Sequence, residues 1–231
     1  MQQKAVTIFA RTILFDLDGT LVDTAPDLCA ALNHALAVLD RPPVPPDDVR
    51  HMVGHGARKL LERGLASSGA VTAELVEAGV APFMAYYRTH IAEASRPYPG
   101  VESALDALAD AGSVAAICTN KPHELAVGLI AALGWERRFA AILGHDSVPA
   151  PKPDAGHVLA TLAAAGGAMP EAAFVGDSIT DVAAARNAGV PVVAVSFGFS
   201  DRPVEALGAD AVIDHYDQLL PALARIRAGR R

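Results

Sequence analysis

The sequence predicts an α/β fold: a doubly wound parallel sheet interrupted by an all-helical insert. Three observations carry that expectation. Short continuous apolar runs alternate with amphipathic helical patterns over most of the chain, as strands buried on both faces and covered by helices require. One stretch, from about residue 24 to 94, keeps helical periodicity and offers no convincing strand. The length of 231 residues, with 52% hydrophobic and 19% charged residues, suits one large domain or a domain with a smaller insert.

The elements follow in chain order. "TILFD" (12–16) is apolar and bounded by charge, so it reads as the first strand. Leu28, Leu32, Ala35, Leu36 and Leu39 form one helical stripe, which "RPPVPP" (41–46) interrupts. Further helical patterns run through "GARKLLERGL" and "TAELVEAGVAPFMAYYRTHI", and "RPYPG" (96–100) punctuates the return to the sheet. Val101, Ala104, Leu105 and Leu108 predict a helix that Gly112 ends, before the strand "SVAAICT" (113–119). Leu125, Leu129, Ala132 and Leu133 predict the next helix, closed by Gly134. "AAFVGD" (172–177), "PVVAVS" (191–196) and the short "AVI" (211–213) complete the strands. No internal repeat or low-complexity segment is present.

Composition excludes several classes. A net charge of −7 without a basic run argues against nucleic acid, the terminal "RIRAGRR" reading as a solvated tail. No apolar segment approaches the roughly 20 residues of a membrane span. No charged region, apolar stretch and cleavage site open the chain in that order, so a cytoplasmic protein is expected. Cys29 and Cys118 sit in apolar stretches and read as small core residues in a reducing compartment.

In open α/β sheets, reactive groups gather beyond the carboxyl ends of the strands. That rule selects Asp16 and Asp18 after the first strand, Thr119 and Asn120 after the second, and Asp177 with Asp181 one helical turn further on. Lys152 lies in the proline-rich "PAPKPD" between them. Carboxylates with a hydroxyl, an amide and an ammonium suit a divalent cation and a phosphate. Each residue also has a plainer reading. Asn120 could cap the helix beginning near Pro122, Asp177 or Ser178 the helix "ITDVAAARNAG", and Lys152 could be a solvated surface lysine. His51 and His55 stand four apart, as helical zinc pairs do, but no third ligand has matching spacing. Gly54 and Gly56 follow no strand, which rules out a dinucleotide loop, and Phe83, Tyr86 and Tyr87 read as core of the insert.

"DLDGT", "CTN", the lysine of "PKPD" and "GDSITD" match, in order, the four motifs of the haloacid dehalogenase superfamily of phosphatases, which the chain resembles over nearly its whole length. "DGTLVDTAPDL", "VGHGARKLLERGL", "TNKP", "HDSVPAPKPD" and "VSFGFSDRPVEALGAD" are similar to the bacterial phosphoglycolate phosphatases within it. The resemblance implies a Rossmann-like catalytic core, residues 1–22 and 95–231, with a helical cap domain at 23–94. It implies Asp16 as a nucleophile that forms an aspartyl-phosphate, and Asp18 as the general acid and base. Mg²⁺ would be held by Asp16, Asp177 and the backbone carbonyl of Asp18. Thr119, Asn120 and Lys152 would bind phosphate, Ser178 and Asp181 would orient these groups, and Arg58 of the cap would read the leaving group. Lys59 and Arg63 beside it read as solvated positions. The implied partner is a small phosphate ester, with the chain a monomer or homodimer. A sugar phosphate such as N-acetylmuramate 6-phosphate, or pyrophosphate, is the alternative substrate. A phosphomutase, a dehalogenase or a binding module that has lost its chemistry fits the residues less well.

Overall fold

The computed structural model describes residues 10–54, 56–200 and 202–229, the last three by backbone alone. The strands are β1 (Thr12–Phe15), β2 (Val22–Asp23), β3 (Arg96–Pro97), β4 (Val114–Cys118), β5 (Ile142–Leu143), β6 (Ala172–Gly176), β7 (Val192–Val195) and β8 (Ala211–Ile213). The helices are α1 (Ala25–Val38), α2 (Pro46–Arg50), α3 (Ala57–Ala66), α4 (Ala73–Thr89), α5 (Val101–Asp110), α6 (His123–Ala132), α7 (Ala155–Ala164), α8 (Ile179–Asn187) and α9 (Leu219–Gly229). Six strands form one sheet in the order β5-β4-β1-β6-β7-β8, and every pairing in it is parallel.

Strand periodicity explains how a continuous apolar run serves two cores. Ile13, Phe15, Ile117, Val175 and Val193 point to one face, where they pack with α5, α6 and α9 residues such as Leu105, Leu129 and Leu223. Leu14, Ala116, Phe174 and Val192 point to the other, against Val158 and Leu162 of α7 and Val182 of α8. The expected stripe of α6 is shifted: Ala132 is exposed, and Ala126 and Ile130 are buried beside Leu125 and Leu129. The cause is a double contact. Leu125 packs with the helices of 25–89, while Ala126, Leu129 and Ile130 pack on the sheet.

Helices α1 to α4 enclose a separate apolar cluster built from Leu28, Leu32, Leu36, Leu61, Leu65, Phe83 and Tyr87. Gly64 permits close approach there, because a Cβ would stand 2.7 Å from the Leu32 side chain. The chain enters and leaves this unit through a two-stranded antiparallel ribbon, with Val22 opposite Pro97 and Asp23 opposite Arg96. Asp27 fastens the exit. Buried at the start of α1, its carboxylate accepts from the backbone N–H groups of Ala94 and Ser95 and from the Ser95 hydroxyl, the last at 2.6 Å.

Both cysteines are buried and unpaired. Among the described residues, no helix is long and apolar enough to cross a membrane. The basic tail expected to be solvated lies, from Arg227 on, outside the described side chains.

Replacing Asp27 with Ala strands the buried donors that now share its carboxylate. The expected cost is about 3 kcal/mol of unfolding free energy, read from urea denaturation with the slope unchanged.

Candidate active site

Parallel register sets the site. Phe15 pairs with Ile117 on one side and Val175 on the other. The residues that follow these strands therefore emerge side by side at one edge of the sheet. Asp16 continues the ladder, donating its N–H to the Val175 carbonyl at 2.9 Å. Thr119 follows β4 and Asp177 follows β6, both buried. Beyond Asp16 the chain folds back at Gly19, where φ is +81° and a Cβ would stand 2.5 Å from Asp177 Oδ2 and 2.7 Å from the Phe199 ring. Glycine is required there for both conformation and space.

Lys152 is the electrostatic centre of the site. Its ammonium lies 2.6 Å from Asp181 Oδ1 and 2.9 Å from Asp16 Oδ1, and its side chain is 1% exposed. The Asp16 contact is a close ion pair outside hydrogen-bond alignment, which leaves Oδ1 without a hydrogen-bond donor. Burial alone would lower the lysine's pKa, but Asp16 and Asp181 outweigh it and hold the ammonium charged above its ordinary range. Burial pushes Asp16 up to about 6 against the pull of Lys152. Burial, reinforced by the charges of Asp181 and Asp16, raises Asp177 well above the usual carboxylate range. Asp177 is held by the Phe199 N–H at 2.7 Å and the Thr20 hydroxyl at 3.1 Å.

One oxygen from each of Asp16, Asp177 and Asp181 lies within 4.8 Å of the others. Of these three close carboxylates, Asp177 and Asp181 are buried and Asp16 is half-buried, and among the described residues Lys152 pairs with Asp16 and Asp181, so the cluster carries excess negative charge. Burial, and then the neighbouring carboxylates, raise both Asp16 and Asp177. An all-oxygen donor set of this kind fits a hard divalent cation.

Asp18 belongs to a second network. Its carboxylate is bound by the Lys121 ammonium at 2.9 and 3.2 Å and by the Thr24 hydroxyl at 2.7 Å. Lys121 also donates to the Tyr87 hydroxyl at 2.7 Å and lies 4.6 Å from the centre of that ring. The two carboxylates of the first loop thus face one pocket but answer to different lysines. The pocket encloses about 60 Å³ and lies between the sheet edge and the helical unit. Thr119, Asn120, Leu28, Leu60, Phe83 and Leu125 are among the residues lining it.

The sequence-selected residues fall into three groups. Asp16, Asp18, Thr119 and Asn120 line the pocket, with Lys152, Asp177 and Asp181 around Asp16. Ser178 caps α8: its hydroxyl accepts from the Asp181 N–H, while Asp181 accepts from the Ser178 hydroxyl and N–H. Asn120 does not cap α6; its amide donates to the Lys152 carbonyl at 3.0 Å, and Asp146 accepts the His123 N–H instead. The structure does not bring Arg58 to the pocket. Its guanidinium is exposed and paired with Glu77 of α4. Lys59 pairs with Glu62, and Arg63 donates to the His51 and Met52 carbonyls at the end of α2. His51 is exposed, and His55 lies outside the described residues.

Lys121, Thr24 and Tyr87 are the participants that sequence reasoning passed over. The signal for Lys121 was its place two residues beyond Thr119, a charged group directly after a buried strand end. Tyr87 is insert core, as the aromatic cluster suggested, yet its hydroxyl reaches the site.

The model of the haloacid dehalogenase-like hydrolases matches residues 13–195. A phosphoglycolate phosphatase of Caulobacter vibrioides is 52% identical over 206 residues, covering 89% of this chain and 87% of that protein. Another from Agrobacterium fabrum is 48% identical, covering 91% of each. A solved structure described as a predicted phosphoglycolate phosphatase from Haemophilus somnus superposes with a TM-score of 0.86 at 30% identity, over 92% of this chain and 97% of that one.

The Lys152 loop is anchored by His157, whose Nδ1 accepts the Lys152 N–H at 3.3 Å while Nε2 lies 3.2 Å from the Leu143 carbonyl. Burial, then the nearby Lys152 charge, pushes the imidazole down to about 4. Between the ordinary value of 6.5 and about 4, the unfolded chain binds a proton that the folded one refuses. The stability from neutral His157 is therefore complete above 6.5 and is lost as pH falls towards 4. Denaturant midpoints at pH 7 and pH 5 should differ more for the native protein than for His157→Gln, which has no group to titrate there.

Proposed function

Because the chain belongs to the haloacid dehalogenase-like hydrolases, we propose that it is a Mg²⁺-dependent phosphomonoesterase of the cytoplasm whose substrate is 2-phosphoglycolate. The observation that carries the mechanism is the separate anchoring of two carboxylates on one pocket, Asp16 by Lys152 and Asp18 by Lys121. Two carboxylates are needed because one is consumed covalently while the other moves the proton.

In this reading a carboxylate oxygen of Asp16 attacks phosphorus, and the bond from phosphorus to the ester oxygen breaks. Asp18 gives its proton to the departing alkoxide. Asp18, now a carboxylate, takes a proton from water, whose oxygen attacks the aspartyl-phosphate and releases inorganic phosphate with Asp16 restored. Lys152 balances negative charge on the phosphoryl group, and Thr119 and Asn120 donate hydrogen bonds to its oxygens. Asp181 and Ser178 keep Lys152 and the start of α8 in place. Asp16, Asp177 and the Asp18 carbonyl, with Asp181 beside them, would hold Mg²⁺, which would supply positive charge to offset repulsion between an anionic nucleophile and an anionic phosphate.

Two supports favour 2-phosphoglycolate over the alternatives. Relatives that align over most of their length carry that name, at 40–52% identity. Much of the pocket lining is apolar, including Leu28, Val53, Leu60, Phe83 and Met84, and a polyhydroxylated sugar would find few partners there. We take residues 23–94 as a cap over the core.

Asp16→Asn is expected to abolish turnover while circular dichroism and unfolding stay native-like, because an amide does not attack phosphorus. Substantial turnover by folded, undeamidated protein would remove Asp16 from the nucleophile's role. Chelation should stop hydrolysis and Mg²⁺ should restore it, with Ca²⁺ a poor replacement because its longer, looser coordination misplaces the nucleophile. Full activity in excess chelator contradicts the metal dependence.

A further inference from the structure

We infer that Lys121 is the specificity-determining residue of this pocket, reading a second anionic group that lies close to the ester oxygen of the substrate. The inference rests on the phosphatase reading above and names the group that selects the substrate.

Charge inventory comes first. Among the described residues lining the pocket, Lys121 alone is cationic. Lys152 sits behind Asp16, engaged by Asp16 and Asp181. Arg58, the cation the sequence offered, is exposed and held by Glu77. The remaining walls include Leu28, Leu60, Phe83 and Leu125. An anionic leaving group placed among such side chains without a cation would lose its hydration and gain nothing.

Geometry then fixes where that anion must be. Lys121 Nζ is 2.9 Å from Asp18 Oδ1. Asp18 must reach the ester oxygen to protonate it, so a ligand anion bound by Lys121 sits only about two hydrogen-bond lengths from Asp18, on the leaving-group side. A carboxylate one methylene from the ester oxygen satisfies that spacing, whereas an anion at the end of a long chain does not. The three donors of the ammonium are directed at Asp18 Oδ1, Asp18 Oδ2 and the Tyr87 hydroxyl, so a ligand oxygen is bound in exchange for the longer Asp18 contact at 3.2 Å.

Tyr87 gives the arrangement its second part. It belongs to α4, and its hydroxyl and ring hold Lys121, which belongs to the loop after β4. The helical unit therefore sets the position of the anion-reading charge without supplying it. Tyr87 is a positioning residue, and it couples the seat of the helical unit to discrimination between substrates.

The test compares 2-phosphoglycolate with ethyl phosphate, which replaces the carboxylate by a methyl group. kcat/KM is measured on both for the native protein, Lys121→Met, Lys121→Arg, Tyr87→Phe and Arg58→Ala. Lys121→Met should slow both substrates, since Asp18 loses a partner, but the preference for 2-phosphoglycolate should fall about 30-fold. Lys121→Arg should retain much of that preference, Tyr87→Phe should lower it mainly through KM, and Arg58→Ala should leave it unchanged. Calorimetric binding of 2-phosphoglycolate to Asp16→Asn, with and without Lys121→Met, should give the same loss independently of turnover. Equal losses on both substrates in Lys121→Met, or a preference that follows Arg58, overturns the inference and leaves the phosphatase reading standing. A native protein that hydrolyses both esters without preference overturns the substrate assignment and this inference together.

Discussion

A buried ammonium between the half-buried Asp16 and the buried Asp181, that of Lys152, is the contact on which the rest of the site depends. Each charge would be costly alone in the interior, and removing one member of such a set costs about 3–5 kcal/mol because the others stay buried and uncompensated. The contact joins β1, the loop before α7 and the start of α8, elements that local sequence cannot bring together. His157 then fixes the loop backbone, and the Ser178–Asp181 capping box fixes the helix. The strand-end side of the sheet is thus cross-tied by ion pairs and hydrogen bonds between elements far apart in the chain.

The sheet supplies the geometry and the helical unit supplies the enclosure. Parallel register delivers Asp16, Thr119 and Asp177 to one edge, and glycine at position 19 lets the first loop pass close over Asp177. The helical unit is anchored through the ribbon of Val22–Asp23 with Arg96–Pro97 and the Asp27 clamp. Arg50 adds a further tie, pairing with Asp23 at 2.8 Å and lying 5.3 Å above the centre of the Phe199 ring. Phe199 in turn donates its N–H to Asp177. A shift of the helical unit would therefore be felt at two places, at Asp177 through Arg50 and Phe199 and at Asp18 through Tyr87 and Lys121.

Much of this was legible in the chain because it depends on short-range patterns. The five principal strands read from apolar runs all form, since a strand buried on both faces leaves a continuous apolar stretch. The acids and the strand-end threonine were found because a parallel sheet collects reactive groups at one edge. The two-residue strands Val22–Asp23, Arg96–Pro97 and Ile142–Leu143 were not legible, as two residues are too few to show a period. The α6 stripe was misread for a related reason: one helix face serves two partners, and only the partners define it.

What the sequence determined by itself is therefore the α/β architecture, the helical interruption and the identity of the carboxylates, all functions of residue type and spacing along a few turns. Tertiary structure alone decided which cation serves which carboxylate. Lys121 and Asp18 are 103 positions apart, and Lys121 and Tyr87 are 34 apart, on elements whose neighbours are set by sheet order. Arg58 and Lys121 are both long, flexible cations near plausible positions in the chain. One meets Glu77 at an exposed surface and the other meets Asp18 in a buried pocket. Long side chains pair with whatever charge the packed elements place within reach, and that reach is defined in three dimensions.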